Sequence, residues 1–581
     1  MTRLLPYCIG LLSILFPASM IADDVVIADE VAIAPQTAAV LADVLAAEID
    51  LDDARAVEGL RLDTGFAQLR FHDGKLFPVR TPEGHVVEMV FIGRGSLVVE
   101  LDDAIESSQL ELFTGGEVLE ETFTEAVFAV ALDTASEALL SRPPAASGVL
   151  DSASRWAKHR SATWRDSQMR DLLSIDTAMT LDRLGDPFYG GYFGAWFKGD
   201  RVGEMLLSVQ PEAVEQLTLG QFRPFDLQAS DQGRKIEKEL KKMQRKGRFV
   251  GLEIDELGSW DTWVSTPLRR DGEPHQGFAA FEPLHYRLAV DLDPDERTIH
   301  GTARIDLRPS VDGVRSAGLK LPETFQIDAV RDGAGNPLVY HRVDDDLRVF
   351  FPSPVDSDQT VEIAYHGMGL TEYKRAWVPH SNTSWYPRTG SVDRATYEIE
   401  LSWPKRWTML ASGRLEDEGM RGDIRWQKRR LDRPGLAVSF TFGTFRVEEL
   451  EVGHVDVTVA FDDSLVRWAS GRRDVVTTAV KSSLSYFETI FGAYPDDELV
   501  IVTVPTFVSQ ALPGFIHLAN VELTDELTSA GDRGTLIAHE ISHQWWGNSV
   551  GWVGYRDQWL TEALANYSAL LWARHGTDDE T

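Results

Sequence analysis

The chain has 581 residues, 43% of which are hydrophobic, and carries a formal net charge of −34 at pH 7. This length is enough for about three or four globular domains. The negative charge excludes nucleic acid and anionic membranes as partners, because both would repel it. Cys8 is the single cysteine, so disulfide bonds play no part in the fold.

The first 22 residues have the pattern of a secretory signal peptide. Arg3 supplies a positive charge, an apolar run extends from Leu4 to Leu15, and small residues precede Asp23. The run is too short to span a membrane, and no later stretch is apolar over about 18 residues. We therefore predict export to a periplasm or the exterior, with no stable membrane insertion after the signal is removed.

Residues 23–275 are predicted to form an amino-terminal extension that is β-rich with helices. The stretch 23–50 is weakly helical, separate strands are expected at 86–91 and 96–101 among others, and 150–184 has a helical pattern. We assign no chemistry to this extension, and its aromatic residues are expected in a core.

A second region, 282–461, shows repeated alternating strands separated by Gly, Pro and Asp turns. Tyr286 to Leu292 and Gly301 to Leu307 form such a pair, and the spacing predicts a β-sandwich. The remaining segment, 462–581, is predicted to start with a helix over 464–490 and a buried strand over 497–505, which lead into the chemistry-bearing part of the chain.

The segment His539-Glu540-Ile541-Ser542-His543 carries the strongest chemical signal. Two histidines four residues apart on a helix project from the same face, so both imidazoles can bind one metal ion. Glu540 lies about 100° around the helix from His539. There it can take a proton from water without binding the metal.

Local signals place this segment on a helix. Asp532 is a plausible N-cap and Gly547 a plausible stop, which predicts a helix over 534–547. A second amphipathic helix is expected between a cap at Asp557 and an end at Gly576.

Glu562, on that second helix, is the candidate third ligand, because a catalytic zinc site normally has three protein ligands. Antiparallel packing of the two helices would bring it opposite the histidines. A structural zinc site would normally use cysteines, and two imidazoles with one carboxylate favour a single catalytic Zn²⁺ over other divalent ions. The residues expected to face the core share apolar character at helical spacing: Trp559, Leu560, Ala563, Leu564, Tyr567, Leu570 and Leu571.

These motifs resemble the aminopeptidase N family of gluzincin zinc metallopeptidases. The resemblance is carried by the stretch from His539 to Asn548, by Trp559-Leu-Thr-Glu562, and by the eighteen residues between His543 and Glu562. Upstream stretches such as Trp385-Tyr-Pro-Arg388 and the lead-in from Tyr486 to Pro495 also look like the family, so that the resemblance covers about 282–581.

The resemblance implies a multidomain α+β protein. We expect a β-rich amino-terminal extension, a β-sandwich, and then a thermolysin-like, mainly α catalytic domain that is incomplete. It also implies one zinc ion held by His539, His543 and Glu562, with Glu540 as general base and peptides or proteins as substrates.

Two departures from the family are visible. The family holds the free amino terminus of its substrate with a glutamate in a segment before the zinc helix, and Ala511 stands at the matching position. Glu522 or another carboxylate could take over that role. The family's catalytic tyrosine follows the glutamate ligand by several tens of residues, whereas no tyrosine follows Tyr567, so we expect a fragment truncated at its carboxy-terminal side.

Three functions stay open at this point. The first is a zinc aminopeptidase. The second is a zinc hydrolase or endopeptidase of the same fold that needs no free amino terminus, which Ala511 would favour. The third is a non-catalytic peptide-binding or scaffold protein, for which a retained base at Glu540 would have no use.

Overall fold

A computed structural model describes residues 35–63, 67–130, 141–145, 175–187, 192–210, 212–224, 258–270, 273–275, 279–373, 375–381, 383–390, 393–462, 471–504, 506, 509–519 and 530–578. The predicted signal peptide at 1–22 and Glu522 lie outside these residues. Within them the chain is a multidomain α+β protein with several separate sheets and few helices, as predicted.

The amino-terminal extension is built on a nine-stranded sheet in which each strand pairs antiparallel with its neighbour. Its strands are β1 (Glu48–Ile49), β2 (Arg55–Asp63), β3 (Ala67–Arg80), β4 (Val86–Val99), β5 (Leu119–Val130), β6 (Phe193–Gly199), β7 (Glu204–Val209), β8 (Leu217–Pro224) and β9 (Gly258–Thr266).

In the part of the extension that the structure describes, three helices cover this sheet: α1 (Pro35–Leu45), α2 (Ala104–Thr114) and α3 (Ile175–Arg183). Leu110 of α2 packs into the apolar cluster on one face, whereas α1 and α3 pack into the cluster on the other face. Neighbouring residues of β3 divide between the two clusters, since successive side chains on a strand point to opposite faces.

The two strands expected at 86–91 and 96–101 form one strand, β4. Its pairing with β5 shifts register between Ile92 and Gly95, which marks a β-bulge. A Cβ on Gly93 would lie 2.2 Å from the carbonyl oxygen of Asp73, so the glycine is needed for close approach of the two backbones. Gly93 and Gly95 therefore lie at a bulge within a continuous strand, where two separate strands were expected.

A hairpin of β10 (Leu268–Arg270) and β11 (Glu273–His275) leads into the middle region. That region contains a seven-stranded sheet, in the order β15-β18-β13-β12-β21-β24-β23, a three-stranded sheet β14-β17-β16 and a four-stranded sheet β19-β20-β25-β22. The strands are β12 (Phe281–Asp293), β13 (Thr298–Pro309), β14 (Val314–Lys320), β15 (Phe325–Asp332), β16 (Val339–Val343), β17 (Asp346–Val355), β18 (Gln359–Met368), β19 (Leu370–Tyr373), β20 (Ala376–Pro379), β21 (Ala395–Pro404), β22 (Thr408–Ala411), β23 (Arg414–Arg421), β24 (Ile424–Gly435) and β25 (Phe440–Gly443).

One apolar core joins these three sheets. Leu288 of β12, Val349 of β17 and Phe440 of β25 belong to the same buried cluster. Sheets that share one core between facing layers form the sandwich arrangement that the strand spacing predicted.

The last region has a five-stranded sheet in the order β26-β27-β28-β30-β29. Its strands are β26 (Phe445–Val452), β27 (Val455–Asp462), β28 (Glu498–Val504), β29 (Gln510–Leu512) and β30 (Phe515–Ala519). Because β27 pairs in parallel with β28, the sequence-based boundary at 461 divides a single sheet. The strand at 455–461, expected in the sandwich, belongs instead to the sheet that supports the chemistry-bearing helices.

Among the described residues of this region, three helices accompany the sheet: α4 (Gly471–Phe491), α5 (Ala530–Ser542) and α6 (Gln558–Asp578). A 3₁₀ turn at Tyr555–Asp557 precedes α6. Apolar residues of α4, α5 and α6 join β27 and β28 in one core, for example Val480, Ile541 and Ala569. None of the helices in the described residues combines the length and the apolar character that a membrane span requires.

Candidate metal centre

Helix α5 carries His539 in its last turn, and His543 directly follows the last residue of this helix. It extends over Ala530–Ser542 and not over 534–547, so Asp532 lies inside it and cannot be its N-cap. The backbone N–H of His543 donates to the carbonyl of His539 at 3.3 Å, which keeps the two histidines one helical turn apart. After the helix the backbone forms a tighter, 3₁₀-like turn, because the N–H of Gln544 donates to the carbonyl of Ile541 three residues earlier. Gly547 then ends the turn with a positive φ of 106°.

Helix α6 carries Glu562 on its second turn. Asp557 immediately precedes the helix, at the expected cap position, but the helix continues through Gly576 to Asp578. Its contact face consists of small side chains, which allow α6 to approach α5 closely: Thr561, Ala565, Ser568 and Ala569 are all buried. Ser542 on α5 also donates to the carbonyl of Ala565 at 3.3 Å.

The prediction that the apolar stripe of α6 faces the core was wrong. Trp559, Tyr567 and Leu570 are each at least 60% exposed, and Leu560 and Leu564 are 38% and 36% exposed. Ala563 is exposed as well, and Leu571 is half-buried. The helix is apolar on more than one side, so periodicity could not identify the side that contacts α5.

Three side chains converge between the two helices. Nε2 of His539 lies 3.1 Å from Nε2 of His543. The two carboxylate oxygens of Glu562 lie 3.4 Å from Nε2 of His539 and 3.5 Å from Nε2 of His543. One ligand atom from each residue lies within 4.8 Å of the others, and no other such trio of His, Cys, Asp or Glu is found in the described part of the chain. The structure thus brings together the three residues predicted as ligands.

The electrostatics favour the protonation states that bind metal. Burial lowers the pKa of His543, and the neighbouring His539 lowers it further, which favours a neutral imidazole. The hydrogen bond from His539 holds the pKa of Glu562 below its usual range, which favours the carboxylate. Nδ1 of His543 donates to the carbonyl of Trp546 at 2.9 Å in the tautomer that leaves Nε2 free for a ligand bond.

Glu540 is 6% exposed and follows His539 on α5. Its carboxylate is not one of the three converging groups. A residue adjacent to a ligand on the same helix, but outside the ligand set, has the position required of a base.

Ala511 lies on β29, which ends the five-stranded sheet in the described residues. Its side chain packs on the edge of the apolar core that α4, α5 and α6 share. A methyl group there cannot pair with a substrate ammonium group.

Gln544 fixes the strand that carries Ala511, and sequence reasoning missed this role. The side chain is fully buried, donates to the carbonyl of Leu512 at 3.0 Å and accepts from the N–H of Gly514 at 3.0 Å. Gln544 therefore clamps the turn between β29 and β30 against the end of α5. The sequence did contain a signal for a buried polar role, since Gln544 lies between the second ligand and two tryptophans.

Two arginines of the sandwich region hold the loop after α5, and these were also missed. Arg394 donates to the carbonyls of Gly547 and Asn548. Arg433 contacts Ser549 Oγ at 3.2 Å and forms an ion pair with Asp496 at 2.8 Å. Cations at these carbonyls are favourable because they lie just beyond the negative end of the α5 dipole.

Two imidazole nitrogens and one carboxylate oxygen are a donor set of catalytic zinc sites, and the three groups fit one ion. Residues 476–580 match the peptidase family M1 domain. Aminopeptidase O of Rattus norvegicus is 30% identical over 105 residues, which are 17% of this chain and 12% of that protein.

Glutamyl aminopeptidase of Homo sapiens is 26% identical over 199 residues, or 32% of this chain and 20% of that protein. The chain thus matches 12% to 20% of the length of these relatives. Among solved structures, an M1 zinc metallopeptidase from Deinococcus radiodurans aligns with a TM-score of 0.44 and 18% identity, covering 52% of this chain and 73% of that one.

Proposed function

We propose that this chain is a zinc-dependent metallopeptidase that hydrolyses peptide bonds, because residues 476–580 match the peptidase family M1 domain, in agreement with their resemblance to the aminopeptidase N family. The observation that carries the proposal is the convergence of His539, His543 and Glu562 within 4.8 Å. A single zinc ion is proposed as the cofactor, and peptides or proteins as the substrates.

Metal binding and proton transfer are assigned to different side chains. His539, His543 and Glu562 would hold the ion, which when bound supplies Lewis acidity toward water and the scissile carbonyl. Glu540 takes the proton of the attacking water and passes it to the leaving amine, so that one carboxylate acts first as general base and then as general acid.

Edge strand β29 is the proposed place for the substrate backbone. A strand at the end of a sheet can pair with an extended peptide through its outward backbone groups. The clamp by Gln544 on Leu512 and Gly514 would hold this edge at a constant position relative to the metal ligands.

Aminopeptidase-like specificity is the first candidate for the finer activity, because the relatives reported above are aminopeptidases by name. Ala511 favours a second candidate, a hydrolase or endopeptidase that does not require a free amino terminus. An acetylated test peptide separates the two: loss of cleavage on acetylation supports the first, and equal cleavage supports the second.

Export to a periplasm or the exterior is proposed from the signal-like pattern of residues 1–22 alone. Sequencing the amino terminus of the exported protein tests it, since a mature chain that begins near Asp23 is expected. A chain that retains Met1 would contradict export by this route.

The proposed activity is tested with the purified chain. Metal analysis is expected to give one zinc per chain, and a quenched fluorescent peptide is expected to be cleaved at a rate that a chelator abolishes and added zinc restores. A chain without zinc after equilibration with the metal, or with zinc but no hydrolysis over a broad peptide panel, would overturn the proposal. The second result would instead favour a peptide-binding protein.

A further inference from the structure

Arg556 joins the amino-terminal extension to the metal-bearing region. It lies in the 3₁₀ turn Tyr555–Asp557, directly before α6. Three carboxylates of the extension surround it. Its Nε forms an ion pair with Glu106 at 2.9 Å, its Nη2 lies 3.5 Å from Asp103, and its backbone N–H donates to Glu215 at 2.9 Å. We refer to Asp103, Glu106 and Glu215 as the carboxylate clasp.

The clasp is fixed by the fold of the extension. Asp103 is the N-cap of α2 and accepts from the backbone N–H groups of Ile105 and Glu106. Ser265, on β9, donates its backbone N–H to Glu106 at 3.3 Å and its hydroxyl to Glu215. These contacts hold the three carboxylates in place on the sheet, so the clasp presents a preformed anionic site to the turn.

Burial makes Arg556 the counter-charge of the clasp. The Glu106 side chain is 3% exposed, and burial raises its pKa, whereas Arg556 opposes that rise. A buried carboxylate that loses its cation is strongly disfavoured, more so beside two further carboxylates. The backbone at Gly554 also approaches closely, since a Cβ there would lie 2.6 Å from Oε1 of Glu215.

The contact lies at the start of the helix that carries the third metal ligand. Glu562 follows Arg556 by six residues, and its side chain is 56% exposed. In the described residues α6 packs on α5 through one face of small side chains, while Trp559 and Leu560 beside the ligand are exposed. The first turn of α6 therefore has Thr561 as its buried side chain, and its amino-terminal connection contributes to its position.

Contacts other than the carboxylate clasp attach the extension to the sandwich. Arg348 of β17 forms an ion pair with Glu212 of the extension at 2.7 Å, and both side chains are largely buried. Phe350 of β17 also lies in the apolar cluster that covers one face of the extension sheet. The extension is thus docked on the sandwich independently of Arg556.

We propose that Arg556 is a positioning residue through which the amino-terminal extension orders the first turn of α6 and so places Glu562 for metal binding. The inference rests on the proposed function for the identity of the ion. Its consequence is that the extension is part of the apparatus that forms the metal centre, in addition to its contact with the sandwich.

The test compares Arg556→Met with the parent chain. Zinc affinity, measured by competition with a chelator, is expected to fall about tenfold, the usual cost of losing a group that orients a ligand. Amide hydrogen exchange in residues 558–563 of the metal-free protein should become faster. Arg556→Lys, which keeps the charge but not the forked geometry, should recover part of the affinity.

Arg348→Met is the matched control, because it removes another largely buried ion pair of the extension, the one that joins it to the sandwich. It is expected to leave zinc affinity and exchange at 558–563 unchanged.

Should Arg556→Met not fold, Glu106→Gln weakens the same contact while conserving size, and a smaller loss of zinc affinity is expected. The inference is overturned if folded Arg556→Met binds zinc with the affinity of the parent chain. Where Arg556→Met does not fold, parental zinc affinity in Glu106→Gln overturns it instead. An equal loss of zinc affinity in Arg348→Met also overturns it. A parent chain that binds no zinc overturns this inference together with the proposed function, whereas the other results leave that function intact.

Discussion

Oε1 of Glu562 lies 3.5 Å from Nε2 of His543, although nineteen positions separate the two residues along the chain. The contact exists because α5 and α6 approach each other through Ala565 and Ser568, which have side chains small enough for close packing. The metal centre is therefore a product of the helix pair.

Glu540→Gln is expected to separate catalysis from metal binding. The amide cannot accept the proton, so we expect kcat to fall by about 10²–10⁴, the usual contribution of general acid–base catalysis. Zinc content should remain that of the parent, since Glu540 is not one of the converging ligands. The contrasting variant Glu562→Gln should lose zinc affinity. Hydrolysis by Glu540→Gln at the parental rate would show that another group moves the proton.

Ala511→Glu should create a preference for free amino termini. A carboxylate on edge strand β29 could pair with a substrate ammonium group, and a charge-assisted hydrogen bond contributes about 1.5–3 kcal/mol. We expect the ratio of kcat/KM for a free peptide to that for its acetylated form to rise about tenfold. Ala511→Gln is the matched control, because it adds similar volume without charge. An equal rise in both variants would attribute the effect to size.

Gln544→Leu should weaken the edge of the sheet. It leaves the carbonyl of Leu512 and the N–H of Gly514 buried without their present partner, and each such loss costs about 1–3 kcal/mol. The free energy of unfolding, measured with denaturant, should fall by about 2–4 kcal/mol. Because β29 is the proposed substrate edge, KM should rise as well. Unchanged KM in a destabilised variant would argue that the substrate binds elsewhere.

His517 should make stability depend on pH. It is 1% exposed, and burial lowers its pKa to about 3, so it stays neutral in the folded chain while the unfolded chain takes up a proton below pH 6.5. Its contribution is fully present above pH 6.5 and is lost as the pH falls toward 3, by about 1.4 kcal/mol per unit.

The test is the slope of unfolding free energy against pH between about pH 4 and 6. His517→Leu should reduce this slope relative to the parent. Thr441→Val, which removes the hydroxyl 2.5 Å from Nε2 of His517 but keeps the buried imidazole, should retain it. Equal slopes in His517→Leu and the parent would mean that His517 is protonated in the folded chain as well.

Substitutions on the two sides of α6 should affect the free energy of unfolding to different extents. Leu570 is 62% exposed, so Leu570→Ser is expected to change the free energy of unfolding by no more than about 0.5 kcal/mol. Ala565 is fully buried against α5, and Ala565→Leu should destabilise by about 1–3 kcal/mol through overpacking. Zinc affinity should fall only in Ala565→Leu, since that variant pushes the helices apart. Destabilisation by Leu570→Ser would place Leu570 in a core.

The sequence by itself determined the parts of the centre that depend on local periodicity. His539 and His543 share a face, and Glu540 stands beside them, because the helical repeat requires it. Glu562 could be named because it lies on a second helix at the spacing that the resemblance implies. The alternating strands of 282–461 likewise indicated a sandwich, since each strand has one apolar side, although β27 joined the next sheet.

Only the tertiary structure decided which side of α6 meets α5, because small residues and large apolar residues both follow helical spacing there, and close packing selects the small ones. The contact of Arg556 with Asp103 is likewise a tertiary result, since the two residues lie 453 positions apart. The pairing of β27 with β28, and the clamp by Gln544, belong to the same class. Local patterns record which residues prefer a helix or a strand, whereas burial of charge and complementarity of shape are settled when distant segments meet.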